Sequence, residues 1–255
     1  MTTAFLRDTG TAFSREFVPY LRQPFIMLFT MGQPLLFLIL FGSLLAGTPG
    51  FAGQGEGSAW QWFVPGILVM MCLSGPLMAG YSLLMELAGG SMERMLVTPM
   101  NRTAMLIGRT AKEFAILLVQ ALLLIGLSLP LGFRSSPAGI LAGLALLVVF
   151  GVGLGSLSFV LAIVSRPGGE LFWLVTQVTL FPLMLLSGML LPVDSGPGWM
   201  RAVAAVNPVY YITEAERALF AGRFTEMPVL YGGLAAAAVA VIGLALGTRA
   251  MRRGV

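Results

Sequence analysis

Histidine is absent from the 255 residues, and cysteine occurs once, at Cys72. The first absence excludes histidine-based catalysis, a histidine metal site and a histidine proton relay. The second excludes an intrachain disulfide. Charge is scarce too: Asp, Glu, Lys and Arg make up 10% of the chain against 57% hydrophobic residues, far from a soluble globular composition. No G-x-x-x-x-G-K-[ST] stretch is present, so the chain lacks the usual phosphate-binding loop for ATP. Internal repeats and low-complexity segments are missing as well.

What the chain has in abundance is uncharged length. The runs 25–45, 60–85, 114–133, 135–165, 171–193 and 227–248 contain no Asp, Glu, Lys or Arg. Each reaches the roughly 20 residues with which a helix crosses about 30 Å of hydrocarbon. The alternating polar residues of barrel strands are missing from them, so helices follow. The predicted architecture is an all-α membrane protein, a single domain over 1–255. Its six transmembrane helices lie at about 25–45, 60–85, 114–133, 138–164, 171–193 and 228–248. The first run is too long for a signal-peptide core, lacks a small-residue cleavage site and is read as retained. The spans carry no acid or base near their centres, which argues against proton- or sodium-coupled transport. Sodium sites built from backbone carbonyls stay open.

Arginine placement sets the orientation. Of the fifteen Lys and Arg residues, only Arg134, Arg201, Arg217 and Arg223 fall on the side opposite the termini. The rich side is cytoplasmic by the positive-inside rule, and both termini with it. Before the first span, Phe5, Phe13, Phe17 and Leu21 line one helical stripe over 3–22, with Arg7, Thr11, Ser14, Arg15 and Arg22 opposite. This predicts an amphipathic helix lying in the interface, serving as an anchor or touching a cytoplasmic partner through Arg7 and Arg15. Gly151, Gly153 and Gly155 permit close helix approach, for packing or for a dimer contact.

Two polar segments stand out. In the outer one, Asn207-Pro208 reads as a helix start. Val209, Ile212, Leu219 and Phe220 form its apolar stripe, with Thr213, Glu214 and Arg217 opposite. It predicts a re-entrant pair dipping into the outer leaflet, 193–206 inward and 207–221 back. The other is a cytoplasmic island from Glu86 to Arg102. Ser91 is a candidate N-cap, with Glu93 well placed near the helix start. Met92, Met95 and Leu96 form an apolar patch, and Thr98-Pro99 stops the helix. A transporter with neither an ATP site nor an ion-coupling residue must borrow its energy, and such a capped stub suits insertion into a partner's groove. A merely solvated loop is the other reading. Met70, Met71, Met184 and Met189 are candidates for an adaptable substrate path, or are ordinary packing residues.

Three stretches resemble the ABC-2-type permeases. The run Gly90-Ser-Met-Glu-Arg-Met-Leu-Val-Thr-Pro99 with Arg102 is similar to that family's G-T-L-E-R-L-L-V-T-P loop. Phe181-Pro-Leu-Met-Leu-Leu-Ser-Gly-Met-Leu-Leu-Pro192 resembles its F-P-L-x-x-L-S-G-x-x-x-P segment. Asn207-Pro-Val-Tyr-Tyr-Ile-Thr-Glu-Ala-Glu-Arg217, with Tyr211, Glu214 and Arg217, is similar to its N-P-L-x-Y-x-x-E-A-x-R. The nearest group is the bacterial drug and antibiotic exporters of the daunorubicin-resistance type. One departure is plain: Leu87, Ala88 and Gly89 stand where that family is densely charged.

The resemblance implies a permease subunit of the bacterial cytoplasmic membrane. It implies pairing with a second permease, the same chain or a relative, and with two ATPase subunits that hold ATP and Mg. It makes the island around Ser91–Pro99 the coupling helix and places the re-entrant pair at the outer end of the route. The expected cargo is a hydrophobic, amphipathic or lipid-like drug or antibiotic. A lipid-linked glycan is the alternative cargo, and an ATP-independent channel or scaffold the alternative class. No nucleic acid is expected.

Overall fold

The computed structural model describes residues 2–46, 59–89, 102–165, 169–190, 193 and 196–254. Among them lie nine helices and no strand: α1 Thr2–Leu21, α2 Pro24–Ala46, α3 Ala59–Ala88, α4 Arg102–Ser128, α5 Pro137–Val164, α6 Glu170–Leu185, α7 Gly198–Ala204, α8 Pro208–Phe220 and α9 Met227–Gly254. Six of them, α2 to α6 and α9, cover the six uncharged runs in order. Four hold a stretch long and apolar enough to cross a membrane: Ala59–Met85, Thr110–Ser128, Pro137–Val164 and Met227–Ala250. Phe29–Leu44 and Glu170–Leu185 are apolar but shorter.

Local chemistry sets the helix ends. Ser136 caps α5, its Oγ accepting from the Gly139 amide at 3.0 Å, with Pro137 in the first turn, where a missing N–H costs nothing. Helix α4 ends at Ser128 although the uncharged run continues to 133. Pro130 has no amide to donate, and Gly132 adopts φ +104. The Phe133 amide then returns to the Ser128 carbonyl at 3.1 Å. Helix α6 likewise stops at Leu185, eight residues short of the end of its run, for reasons taken up below.

Helix α3 is the axis of the fold. Residues 63–73 are buried without interruption, and α3 packs against α2, α4, α5 and α8. Helix α9 lies along α5 and α8. The α5–α9 contact needs glycine on both sides: a Cβ on Gly153 would stand 2.6 Å from the Val239 carbonyl carbon, and one on Gly243 would strike Gly153 itself. Gly151 sits beneath the Phe114 ring, and Gly155 lies 3.7 Å, measured from an added Cβ, from Pro76. The small-residue stretch of α5 is therefore used in packing within this chain.

Large apolar side chains cover the outside of the bundle. Phe29 on α2 is 87% exposed and Phe181 on α6 68%, with Leu36, Leu40, Leu174 and Val178 beside them. Water would not tolerate a patch of this extent; lipid does.

Helix α1 lies against α4 and, more lightly, α2. Phe13 and Phe17 stack with ring centroids 4.9 Å apart, while Arg7 and Arg15 are exposed, as the stripe predicts. Its end is fastened by a polar cluster. Gln120 Nε2 of α4 donates to Thr30 Oγ1 of α2 at 3.0 Å and to the Tyr20 hydroxyl of α1 at 3.2 Å, and that hydroxyl lies 3.1 Å from Thr30 Oγ1. Of the polar island predicted between Glu86 and Arg102, Ser91, Met92, Glu93, Arg94, Met95, Leu96, Thr98 and Pro99 fall outside the described residues. Glu86 lies in the last turn of α3, and Arg102 opens α4.

Candidate functional site: a helical hairpin seated at one end of the bundle

Helices α7 and α8 form a hairpin whose turn is built by Asn207. Its backbone is extended at φ −80, ψ 112; Oδ1 accepts from the Val209 amide at 3.0 Å, and Pro208 follows at the first helical position. The helix start read from Asn207-Pro208 is thus present. The Tyr211 hydroxyl donates back to the Ala205 carbonyl at 2.7 Å and closes the turn. At its far end α8 stops at Gly222, φ +79. The Gly222 and Arg223 amides return to the Leu219 and Ala218 carbonyls, a C-cap in which glycine takes the left-handed conformation without penalty.

The hairpin occupies the bundle rather than resting on it. Helix α8 packs against α3, α5 and α9, and Val209, Ile212, Leu219 and Phe220 are buried as the apolar stripe predicts. The predicted polar face is enclosed in part: Thr213 and Arg217 are buried, Glu214 is partly exposed, and Glu216, which that face did not include, is buried too. Two glycines of α5, one turn apart, admit this approach. A Cβ on Gly139 would lie 2.5 Å from the Leu219 carbonyl oxygen, and one on Gly143 2.5 Å from Glu216 Oε2. Helix α9 yields on the other side, where Gly232 leaves room for the Tyr211 backbone at 2.7 Å. By chain order this end holds the start of α3 and of α5, opposite the end where α1 meets α2.

The early stop of α6 belongs to the same site. The terminal carbonyls of a helix lack partners within it, and here they find them in part on the hairpin. Asn207 Nδ2 donates to the Leu183 carbonyl at 3.0 Å, and Arg217 Nη2 to the Gly188 carbonyl at 2.7 Å. Ser187 Oγ takes the Met184 carbonyl at 2.6 Å, and Gly188 turns the chain at φ +72. The segment after the turn is pressed onto α3, where a Cβ on Gly66 would lie 2.5 Å from the Met189 carbonyl oxygen.

Arg217 is the centre of this arrangement. Nε donates to the Trp62 carbonyl at 3.3 Å, the guanidinium lies 3.4 Å from the centroid of the Trp62 ring, and Nη1 meets Glu214 Oε1 at 2.5 Å. One planar cation thereby ties the start of α3, the broken end of α6 and its own helix. A guanidinium does this better than an ammonium because its donors fan out in a fixed plane that also stacks. Phe133, at the α4–α5 turn, closes the corner edge-on to Phe220 at 5.7 Å.

Five of the residues singled out from sequence therefore converge here: Asn207, Pro208, Glu214 and Arg217, and Tyr211, which braces the turn. Trp199 is 64% exposed on α7. The methionines are placed as core: Met70, Met71 and Met189 are buried, and Met184 is half-buried against the same cluster. Trp62 and Gly188 are partners that residue patterns left unassigned, although Gly188 lies in the Ser-Gly pair of the second motif. Glu216 was also missed, for its position on the helix gives no hint of the glycine cleft that receives it.

The match to known proteins covers this site and most of the chain. Residues 7–221 match the ABC-2 type transporter family. A putative transport permease, ycf38, of Porphyra purpurea is 30% identical over 229 residues, 87% of this chain and 77% of its own length. A daunorubicin resistance ABC transporter permease protein, DrrB1, of Streptomyces coeruleorubidus is 27% identical over 192 residues, 74% of this chain and 66% of its own length. A probable doxorubicin resistance permease, DrrC, of Mycobacterium tuberculosis is 26% identical over 204 residues, 77% and 71% of the two chains. With its apolar helices in series and its hairpin built on the Asn207 and Arg217 motif, the chain belongs to the ABC-2 type transporter family and is an ABC transporter permease.

Proposed function

We propose that this permease exports a hydrophobic or amphipathic drug, antibiotic or lipid-like compound, driven by ATP that a separate subunit binds with Mg and hydrolyses. The observation that carries the reading is the hairpin 198–220. It fills the outer end of the bundle and is held there by contacts that would have to part before anything passed. Two permeases, identical or related, would form the route between them, with the exposed apolar faces turned to each other or to lipid. All six apolar helices cross the bacterial cytoplasmic membrane in this reading, both termini on the inside. Two ATPase subunits dock on the Ser91–Pro99 segment, between Glu86 and Arg102, and on the polar face of α1 with Arg7 and Arg15. ATP binding draws the ATPases together, the coupling segments move with them, and the hairpin lifts. Similarity to permeases named for daunorubicin and doxorubicin resistance supports the cargo class.

The test is transport in inverted vesicles holding the permease and its ATPase. The double variant Glu93→Ala, Arg94→Ala should keep ATP hydrolysis and lose at least tenfold in transport. Unchanged transport would remove the coupling assignment. Failure of a P-loop subunit to co-purify from native membrane would remove the ATP-driven reading altogether.

A further inference from the structure

Glu216 takes no part in the latch around Arg217. Consecutive residues lie about 100° apart around a helix, so its side chain meets a different surface. It is fully buried, and neither carboxyl oxygen has a hydrogen-bond partner among the described residues. Oε2 lies 2.5 Å from where a Gly143 Cβ would stand, with the Phe220 ring 2.9 Å from the same point. Backbone of α5 and an aromatic ring are thus its immediate surroundings.

Among the described residues no cation answers it. Arg217 is engaged by Glu214, Gly188 and Trp62. From α3 the titratable group that faces Glu216 is Cys72, close enough to feel its charge. Helix α5 carries no titratable side chain. Helix α9 offers Tyr231, whose ring lies against Tyr211, and no charged residue before Arg249. An ionised carboxylate without donors is costly in such a place. Helix α8, with 13 residues, is about 20 Å long and does not span a bilayer. Burial there pushes the Glu216 carboxyl from 4.5 up to about 8.

We propose that Glu216 is a proton-binding site of the hairpin: its carboxyl is neutral while the hairpin is seated and gives its proton to water when the hairpin lifts. The step breaks one O–H bond and leaves a carboxylate and a hydrated proton, with no oxidation. Seated and lifted states then differ by one proton per permease. Raising the pH from about 4.5 to about 8 favours the lifted state by about tenfold per unit, because it is the state that binds fewer protons. Below 4.5 the two states hold the same number of protons, and the dependence disappears. The protonation of Glu216 in the resting chain stands apart from the proposed function; the release step rests on the reading of the hairpin as a gate.

Infrared difference spectra of the full-length permease with its ATPase in nanodiscs test both parts. At rest and neutral pH, wild type should show a protonated-carboxyl band that is missing in Glu216→Gln and titrates in the alkaline range. Absence of any Glu216-dependent band overturns the site. Should Glu216→Gln fail to assemble, the wild-type band and its titration still decide the question. Non-hydrolysable ATP should then abolish the band and release one proton per permease to an indicator dye, while a spin label at exposed Arg201 reports hairpin movement. Movement with the band intact overturns the release step. No movement overturns the gate reading and the release step together, and leaves the resting titration to decide the proton site.

Discussion

At the hairpin end of the bundle, Arg217 and Asn207 reach the carbonyls of Trp62, Leu183 and Gly188 from a helix whose residues are mostly buried. At the other end, α1 lies along α4 with Arg7 and Arg15 in the open, and its tip is joined to the spans by the cluster of Tyr20, Thr30 and Gln120. The fastening at the hairpin uses a charge and desolvated carbonyls, so it is all-or-none: once parted, its members have no substitutes. The fastening at the α1 end uses neutral side chains, partly exposed, which can exchange partners with water. The proposed mechanism draws on that asymmetry, with a compliant handle at one end and a latch at the other.

The sharpest way to break the comparison is at the latch. Arg217→Leu leaves the Gly188 and Trp62 carbonyls without their donor and should lower unfolding stability by about 2–4 kcal/mol, read from thermal unfolding in detergent. Arg217→Lys should recover less than half of the loss, since an ammonium neither stacks on Trp62 nor spans both carbonyls. Full recovery would reduce the latch to a point charge. Next comes the α5–α9 contact beside it: Gly153→Leu drives a side chain into the α9 backbone and should cost about 1–3 kcal/mol, with less folded permease recovered from membranes. Asn207→Ala removes the cap of α8 and should cost about 1 kcal/mol, a little more if the Leu183 carbonyl stays unpaired. At the α1 end, Gln120→Leu should cost about 0.6 kcal/mol, as hydrogen bonds between membrane helices do. It should nevertheless weaken ATPase stimulation by substrate several-fold. If Gln120→Leu proved as destabilising as Arg217→Leu, the two ends would be equivalent and the handle-and-latch contrast would fall.

Legibility in the sequence followed the range of the forces involved. Asn207-Pro208 could be read because a cap is a contract between neighbours in the chain. The six apolar helices could be read because hydropathy needs no partner to be visible. The stop of α6 at Leu185 was hidden inside an uncharged run: its causes are Ser187, Gly188 and a bond from Arg217, none of which alters hydropathy. The enclosure of α8 was hidden for a related reason. Thr213, Glu214 and Arg217 lie opposite the apolar stripe and read as a face turned to a polar medium, but Arg217 meets Gly188, 29 positions back, and Trp62, 155 positions back. Glycines at 139 and 143 are the trace of that enclosure, visible only once their neighbour is known. The coupling segment from Ser91 to Pro99 rests on its resemblance and awaits its own test.

The reach of Arg217 also has a bearing on how the protein is made. Chain synthesis is vectorial, and the Trp62 carbonyl enters the membrane 155 residues before the guanidinium that will hold it. Until α8 emerges, the start of α3 and the broken end of α6 carry backbone groups waiting for a donor. Completion of the latch is thus a late event of biogenesis, and a chain interrupted before residue 217 would present those open carbonyls to quality-control proteases as a mark of unfinished assembly.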